Sequence, residues 1–279
     1  MELLNKRRLF GAFCILGVLG VIVISWVACD DFGLESDFLK GTIKGVIRLN
    51  AAPPDTTGDI RVALVKEFPP TNFAELLTSN NLHNKNDTTK KEFLPFEFQV
   101  PLEEFDAIVA VWKAKGTPWN IFRNVIGVYC NDNNELNKIT LSDSQHVAEG
   151  IEFEVNLKKV DRTAKMTGQI TFQGDWPTDI ENMGLAVLNT ENPTLSICIF
   201  PELEIVLLPK VPVDSLDYEI DIAPGLYAVL LVWQPVGAEL LDFKLIGAAG
   251  LNTGIEVIEG ETKSGVDIQA DFGSTLIIQ

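Results

Sequence analysis

The chain has 279 residues, 46% of them hydrophobic, which leaves room for a leader and two modest domains with cores of their own. The formal charge is −17, and a surface this acidic repels phosphate backbones and resists lying flat on anionic lipid, so no nucleic-acid partner is expected. Sixteen Phe and frequent Val and Ile favour strands. The first element is an apolar run, Leu9 to Ala28, preceded by Lys6-Arg7-Arg8 and followed by Cys29-Asp30-Asp31. A basic stretch before an uncharged apolar segment is an export signal whose positive end stays in the cytoplasm. The run is close to the ~20 residues that span a bilayer as a hydrophobic helix, so an uncleaved anchor and a cleaved signal both remain open.

Ser25-Trp26-Val27-Ala28-Cys29 resembles a bacterial lipobox, with Trp26 where such boxes usually carry Leu. The resemblance implies cleavage before Cys29 and acylation of its thiol and amine, hence a membrane-lipid partner through residues 1–29 and a short tether at 30–40. Either reading places the remainder in the periplasm or at the cell exterior.

Beyond the tether the chain repeats itself. Thr42 to Leu49 alternates apolar and polar residues around Gly45, and Lys165 to Phe172 does the same around Gly168, 123 residues later. In chain order, Ile60–Leu64 answers Met183–Val187, and Phe96–Val100 answers Tyr218–Ile222. Ala107–Trp112 answers Ala228–Trp233, and Ile126-Gly127-Val128 answers Ile246-Gly247-Ala248. Finally, Ile139–Leu141 and Gly150–Val155 answer Ile255–Val257 and Gly265–Ala270. The Ala107 and Ala228 strands are apolar throughout and are expected to be buried on both faces. About seven short strands per copy predict an all-β fold: two tandem seven-stranded antiparallel β-sandwich domains after an N-terminal hydrophobic helix. The boundaries are 41–158 and 165–279, joined by a charged linker at 159–164, with Ser274 to Gln279 free to extend the last strand or pair with a partner's edge.

The order of these strands, with Pro224-Gly225-Leu226-Tyr227-Ala228 leading into the strand that ends at Trp233, resembles the carboxypeptidase regulatory-like, or transthyretin-like, β-sandwich of bacterial surface proteins. The first copy carries Glu103-Glu104-Phe105-Asp106 in place of Pro-Gly-Leu-Tyr. The resemblance implies a non-catalytic adhesive, accessory or spacer module, with Tyr227 capping the sheet edge.

No catalytic residues, cofactor or metal are assigned. His83 and His146 are isolated in polar stretches, and no metal, P-loop or nucleophile-elbow motif occurs. Asn131 to Glu135 is oxygen-rich but lacks the ligand spacing of a calcium loop, and reads as a turn. The insert Phe68 to Phe93 contains Asn72 to Ser79, readable as a short helix, and its counterpart is the proline-punctuated stretch Asn189 to Ser215. A disulfide between Cys130 and Cys198 is open in an oxidising compartment, but the two do not occupy matching repeat positions, and the favoured reading is two separate thiols, with Cys198 buried in the run Leu195 to Phe200. Trp119, Phe122 and Tyr129 are the candidate ligand-binding residues: exposed aromatics stack on sugar rings, although core burial is their commoner fate. The functional expectation is a membrane-anchored, extracytoplasmic structural or binding protein, partnered by an envelope protein or a glycan. Carbohydrate binding is the alternative and an unrecognised envelope enzyme the lesser one.

Overall fold

A computed structural model describes residues 41–68, 76–83, 92–190, 198, 202–238 and 242–273. The leader and Cys29, the tether, and the tail from Ser274 lie outside the described residues. So do the insert residues 69–75 and 84–91.

The protein is all-β with several sheets. In the N-terminal half the strands are β1 (Gly41–Leu49), β2 (Thr57–Val65), β3 (Leu77–Thr78), β4 (Phe93–Val100), β5 (Glu104–Phe105), β6 (Ala107–Ala114), β7 (Val125–Val128), β8 (Ile139–Thr140) and β9 (Val147–Val155). They form one sheet ordered β4-β1-β9, a second ordered β3-β2-β6-β7, and the pair β5-β8. In the C-terminal half they are β10 (Ala164–Gln173), β11 (Ile180–Asn189), β12 (Leu203–Leu207), β13 (Ser215–Ile222), β14 (Gly225–Pro235), β15 (Lys244–Ala249), β16 (Ile255–Val257), β17 (Thr262–Lys263) and β18 (Ile268–Asp271). Here the sheets run β13-β10 with β17 and β18 beside β10, and β12-β11-β14-β15 with β16 beside β14. The second half therefore repeats the order of the first, with β14 taking the places of β5 and β6, and β17 and β18 together taking the place of β9.

The alternation in β1 and β4 puts Ile43, Ile47, Phe96, Phe98 and Val100 inward. They meet Ile60, Val62, Leu64, Ile108 and Trp112 from the facing sheet in one core. Met166, Ile170, Leu185, Ile220, Val229, Leu231 and Trp233 build the equivalent core in the second half. The expectation that β6 and β14 are buried on both faces is met. Val109 and Val111 join a separate outer cluster with Ala63 and Val125, and Leu230 and Val232 join one with Ala186 and Leu245.

Close approach explains the repeated glycines. A Cβ on Gly45 would stand 2.5 Å from the Ile151 carbonyl and from the Phe96 ring, and one on Gly168 would stand 1.9 Å from the Val266 carbonyl. Gly127 and Gly247 sit where β7 and β15 cross the last strand of each half, with the Glu154 and Gln269 carbonyls 2.9 and 2.6 Å from a hypothetical Cβ.

Four sequence expectations are corrected. The sheets are not purely antiparallel. β1 pairs β9, and β10 pairs β18, in parallel, because the chain closes each half by returning beside its first strand in the same direction. Leu77-Thr78 is a strand on the edge of β2 rather than part of a helix, fixed there by Ser79, whose amide donates to Val62 O and whose Oγ accepts from Val62 N. Phe105, not Asp106, is the counterpart of Tyr227: Phe105 pairs Ile139 as Tyr227 pairs Ile255. Asp106 is an extra residue between β5 and β6, occupied by the Phe68 amide and by Lys138, whose hydrogen bond holds its carboxyl below the usual range. Tyr227 does not cap an exposed edge; it is buried, and its hydroxyl donates to Ala223 O at 2.9 Å.

Candidate functional site: the seam between the halves

The unrepeated chemistry lies where the halves meet. β12 is short, bounded by Pro201 and Pro209, and lies at the edge of its sheet. Leu203 and Ile205 turn to the outer cluster, while Val206 packs on the main core. Strand alternation puts Glu204 on the same side as Val206, at the open rim of the core. A carboxylate there is a liability for an isolated half, because a buried charge needs a partner. The partners come from outside the C-terminal sheets. Arg123, in the one-turn helix α1 (Ile121–Asn124) that feeds β7, donates its Nε to Glu204 Oε1. Arg162, on the chain between the halves, approaches Glu204 Oε2 at 3.3 Å through both Nε and a terminal nitrogen.

Residues 158–160 form a 3-10 turn. Val160 drops into the N-terminal core, which orients Lys159 toward β12, where its ammonium donates to Leu203 O at 3.0 Å. The residue as a whole is half-buried, but its ammonium is enclosed by protein atoms. Burial pushes its pKa down to about 8; Glu204 and Glu202 oppose that shift, and Arg162 and Arg123 reinforce it. Burial likewise lowers Arg162, against the pull of Glu204. Asn156 donates to Glu202 at 2.7 Å, and Asn50 accepts the Leu157 amide at 2.8 Å. Between these groups lies a cleft of about 240 Å³ lined by Asn50, Asn156, Lys159, Glu202, Glu204 and Tyr227. It is smaller than the ~300–1,000 Å³ of a typical ligand pocket, and much of its polar lining is engaged in cross-links, which makes it a joint.

A disulfide completes the joint. Cys130, just past β7, is bonded to Cys198 in the β11–β12 connection, with their Cα atoms 6.3 Å apart. This overturns the reading of two separate thiols. Repeat position hid the pair because it bonds one half to the other rather than recurring within each.

The predicted aromatic residues lie in different surroundings. Trp119 is 37% exposed, and Tyr129 packs against Phe153 at a ring distance of 5.9 Å. Phe122 lies in α1, and its side chain is outside the described atoms. His146 is exposed and His83 half-buried. Asn131 Oδ1 accepts the amides of Asn133 and Glu135, so it is committed to a turn. Among the described residues no group of three or more His, Cys, Asp or Glu is placed to hold a metal. Among the same residues no helix is long and apolar enough to cross a membrane. Sequence reasoning missed Arg123, Lys159, Arg162 and Glu204. The available signal was Glu204 itself, a single charge inside the apolar run Leu203 to Leu208.

No protein family and no curated protein matches the chain. Similar solved structures include a leucine-rich repeat protein from Bacteroides thetaiotaomicron, with 12% identity, 83% of this chain covered and a TM-score of 0.32. This chain spans 26% of that protein. A candidate adhesin from Bacteroides ovatus has 8% identity over 77% of this chain and 82% of its own, with a TM-score of 0.23. The major pilin from Streptococcus pyogenes has 11% identity over 83% and 96%, with a TM-score of 0.19. Likeness at this level carries nothing about activity or partners.

Proposed function

We propose that this chain is a non-catalytic structural or adhesive protein of the bacterial envelope, held to a membrane through residues 1–29 with Cys29 as the lipid-bearing residue. In this reading residues 41–158 and 165–279 are two β-sandwich modules of the carboxypeptidase regulatory-like kind, and 159–164 is the connection that locks them together. The observation that carries the reading is the Cys130–Cys198 disulfide across the seam. Such a bond persists in an oxidising compartment, outside the cytoplasm, which is where the leader directs the chain. The test is the intact mass of the membrane-extracted protein beside a Cys29→Ala variant. A mature chain beginning at Cys29 with added acyl mass, absent from the variant, is the expected result. A full-length unmodified chain in both would replace the lipid with a transmembrane anchor.

A second reading, glycan binding, is favoured by one residue. Trp119 is the most exposed of the described tryptophans: Trp112 and Trp233 are core residues, and Trp176 is packed between Phe172 and Phe272. An exposed indole held in place by a neighbouring cation is a stacking surface for a sugar ring.

A further inference from the structure

Beside Trp119 the outer face of the β2–β6 ribbon changes character. Its apolar stretch, Ala63, Val65, Val109 and Val111, ends in Asp59, Arg61 and Lys113. Asp59 and Lys113 are direct cross-strand partners, and Arg61 pairs Val111, so all three project from one side of the sheet. Asp59 serves both cations loosely, at 3.2 Å from Arg61 and 3.4 Å from Lys113. Among the described residues the Asp59 contact is the only hydrogen bond of the Arg61 guanidinium, and its buried Nε has no partner there. Lys113 Nζ stands 5.0 Å over the Trp119 ring. Two cations thus share one carboxylate on a chain whose net charge is −17, and the unused groups at this spot are donors. The acceptor the site lacks is an anion, and the surface next to it is aromatic.

From this the geometry points to Arg61, Lys113 and Trp119 as a binding site for an acidic saccharide, a sugar ring bearing a carboxylate. The inference rests on the glycan reading and narrows it. The carboxylate brings the cluster to neutrality by taking up the Arg61 and Lys113 donors, and the apolar face of the ring lies on Trp119. Asp59 keeps the two cations aligned when the ligand is absent.

The experiment is calorimetric titration of the full chain in detergent with tetragalacturonate, with neutral cellotetraose, and with a short poly-glutamate of matched charge. The titrations are repeated on Lys113→Met and Trp119→Ala, with thermal unfolding as the check that each variant is folded. Binding of tetragalacturonate alone, weakened about tenfold or more by either substitution, is the expected result. Equal binding of cellotetraose, lost only in Trp119→Ala, would overturn the acid specificity and keep the glycan reading. Equal binding of poly-glutamate would reduce the site to an anion patch and overturn the saccharide assignment. Tetragalacturonate binding untouched by both substitutions would overturn the site, and no binding of either sugar would overturn the glycan reading with it.

Discussion

The two cores and the seam between them are built by opposite means. Each core is apolar and recurs: Gly45 beneath Phe96 is repeated as Gly168 beneath Tyr218, and Trp112 as Trp233. The seam is charged and single-copy: Arg123, Lys159, Arg162 and Glu204 have no counterparts at matching positions, nor do Cys130 and Cys198. A duplicated chain inherits its cores twice, but an asymmetric joint has to arise from residues in which the copies differ. Changes in the seam should therefore separate the halves, whereas changes in a core should melt one half.

The largest effect is expected from Glu204→Ala, which strands two arginines in a partly buried site and should cost about 3–5 kcal/mol. Urea unfolding followed by tryptophan fluorescence should split from one transition into two; a single unshifted transition would mean that the seam contributes nothing. Next, Cys130→Ala with Cys198→Ala removes a link across 68 residues of sequence and should cost about 2–4 kcal/mol. Limited proteolysis should then cut near Arg162 and release two resistant fragments. A product of mixed strands would refute the division into halves.

Lys159 sharpens the comparison through pH. Below about 8 it is charged both folded and unfolded, and the folded state bears the burden of enclosing that charge. Between about 8 and its ordinary 10.5 the folded protein has released the proton and the unfolded chain has not, so stability rises with pH. The gain over that window is at most about 3 kcal/mol, reduced by the exposed flank of the residue. Lys159→Met should lack the rise, as read from urea midpoints at pH 7 to 10 relative to the unmodified protein. Smaller again, Gly168→Ala should destabilise more than Gly45→Ala, within about 1–3 kcal/mol. Its new methyl meets the Val266 backbone, whereas at Gly45 part of the clash falls on the Phe96 ring, which can turn. Calorimetry should place the loss in the C-terminal half. The smallest change is Tyr227→Phe, which gives the C-terminal half the ring that Phe105 already supplies in the N-terminal half. It leaves Ala223 O without its donor, for about 1 kcal/mol.

The cores were legible in the sequence because strand alternation and the 123-residue spacing are one-dimensional signals. The parallel closure was not, since alternation is the same in parallel and antiparallel strands. Leu77-Thr78 misled because its strand is two residues long and held by Ser79, too brief to show a period. The seam was illegible for a deeper reason. Glu204 and Arg123 lie 81 residues apart, and nothing local marks either as the partner of the other. The same holds for Arg61, Lys113 and Trp119, which become neighbours only once β2 and β6 are in register.

The parallel pairing of β1 with β9 also has a mechanical meaning. Tension on the chain would enter β1 at Gly41 and leave β9 at Val155, at opposite ends of two neighbouring strands that run the same way. Pulling then slides the strands past each other and strains their whole ladder of hydrogen bonds at once, instead of peeling one bond at a time. β10 and β18 face the same load at Ala164 and Asp271. A body anchored at one end and dragged from the other would thus resist rupture through the topology of its strands.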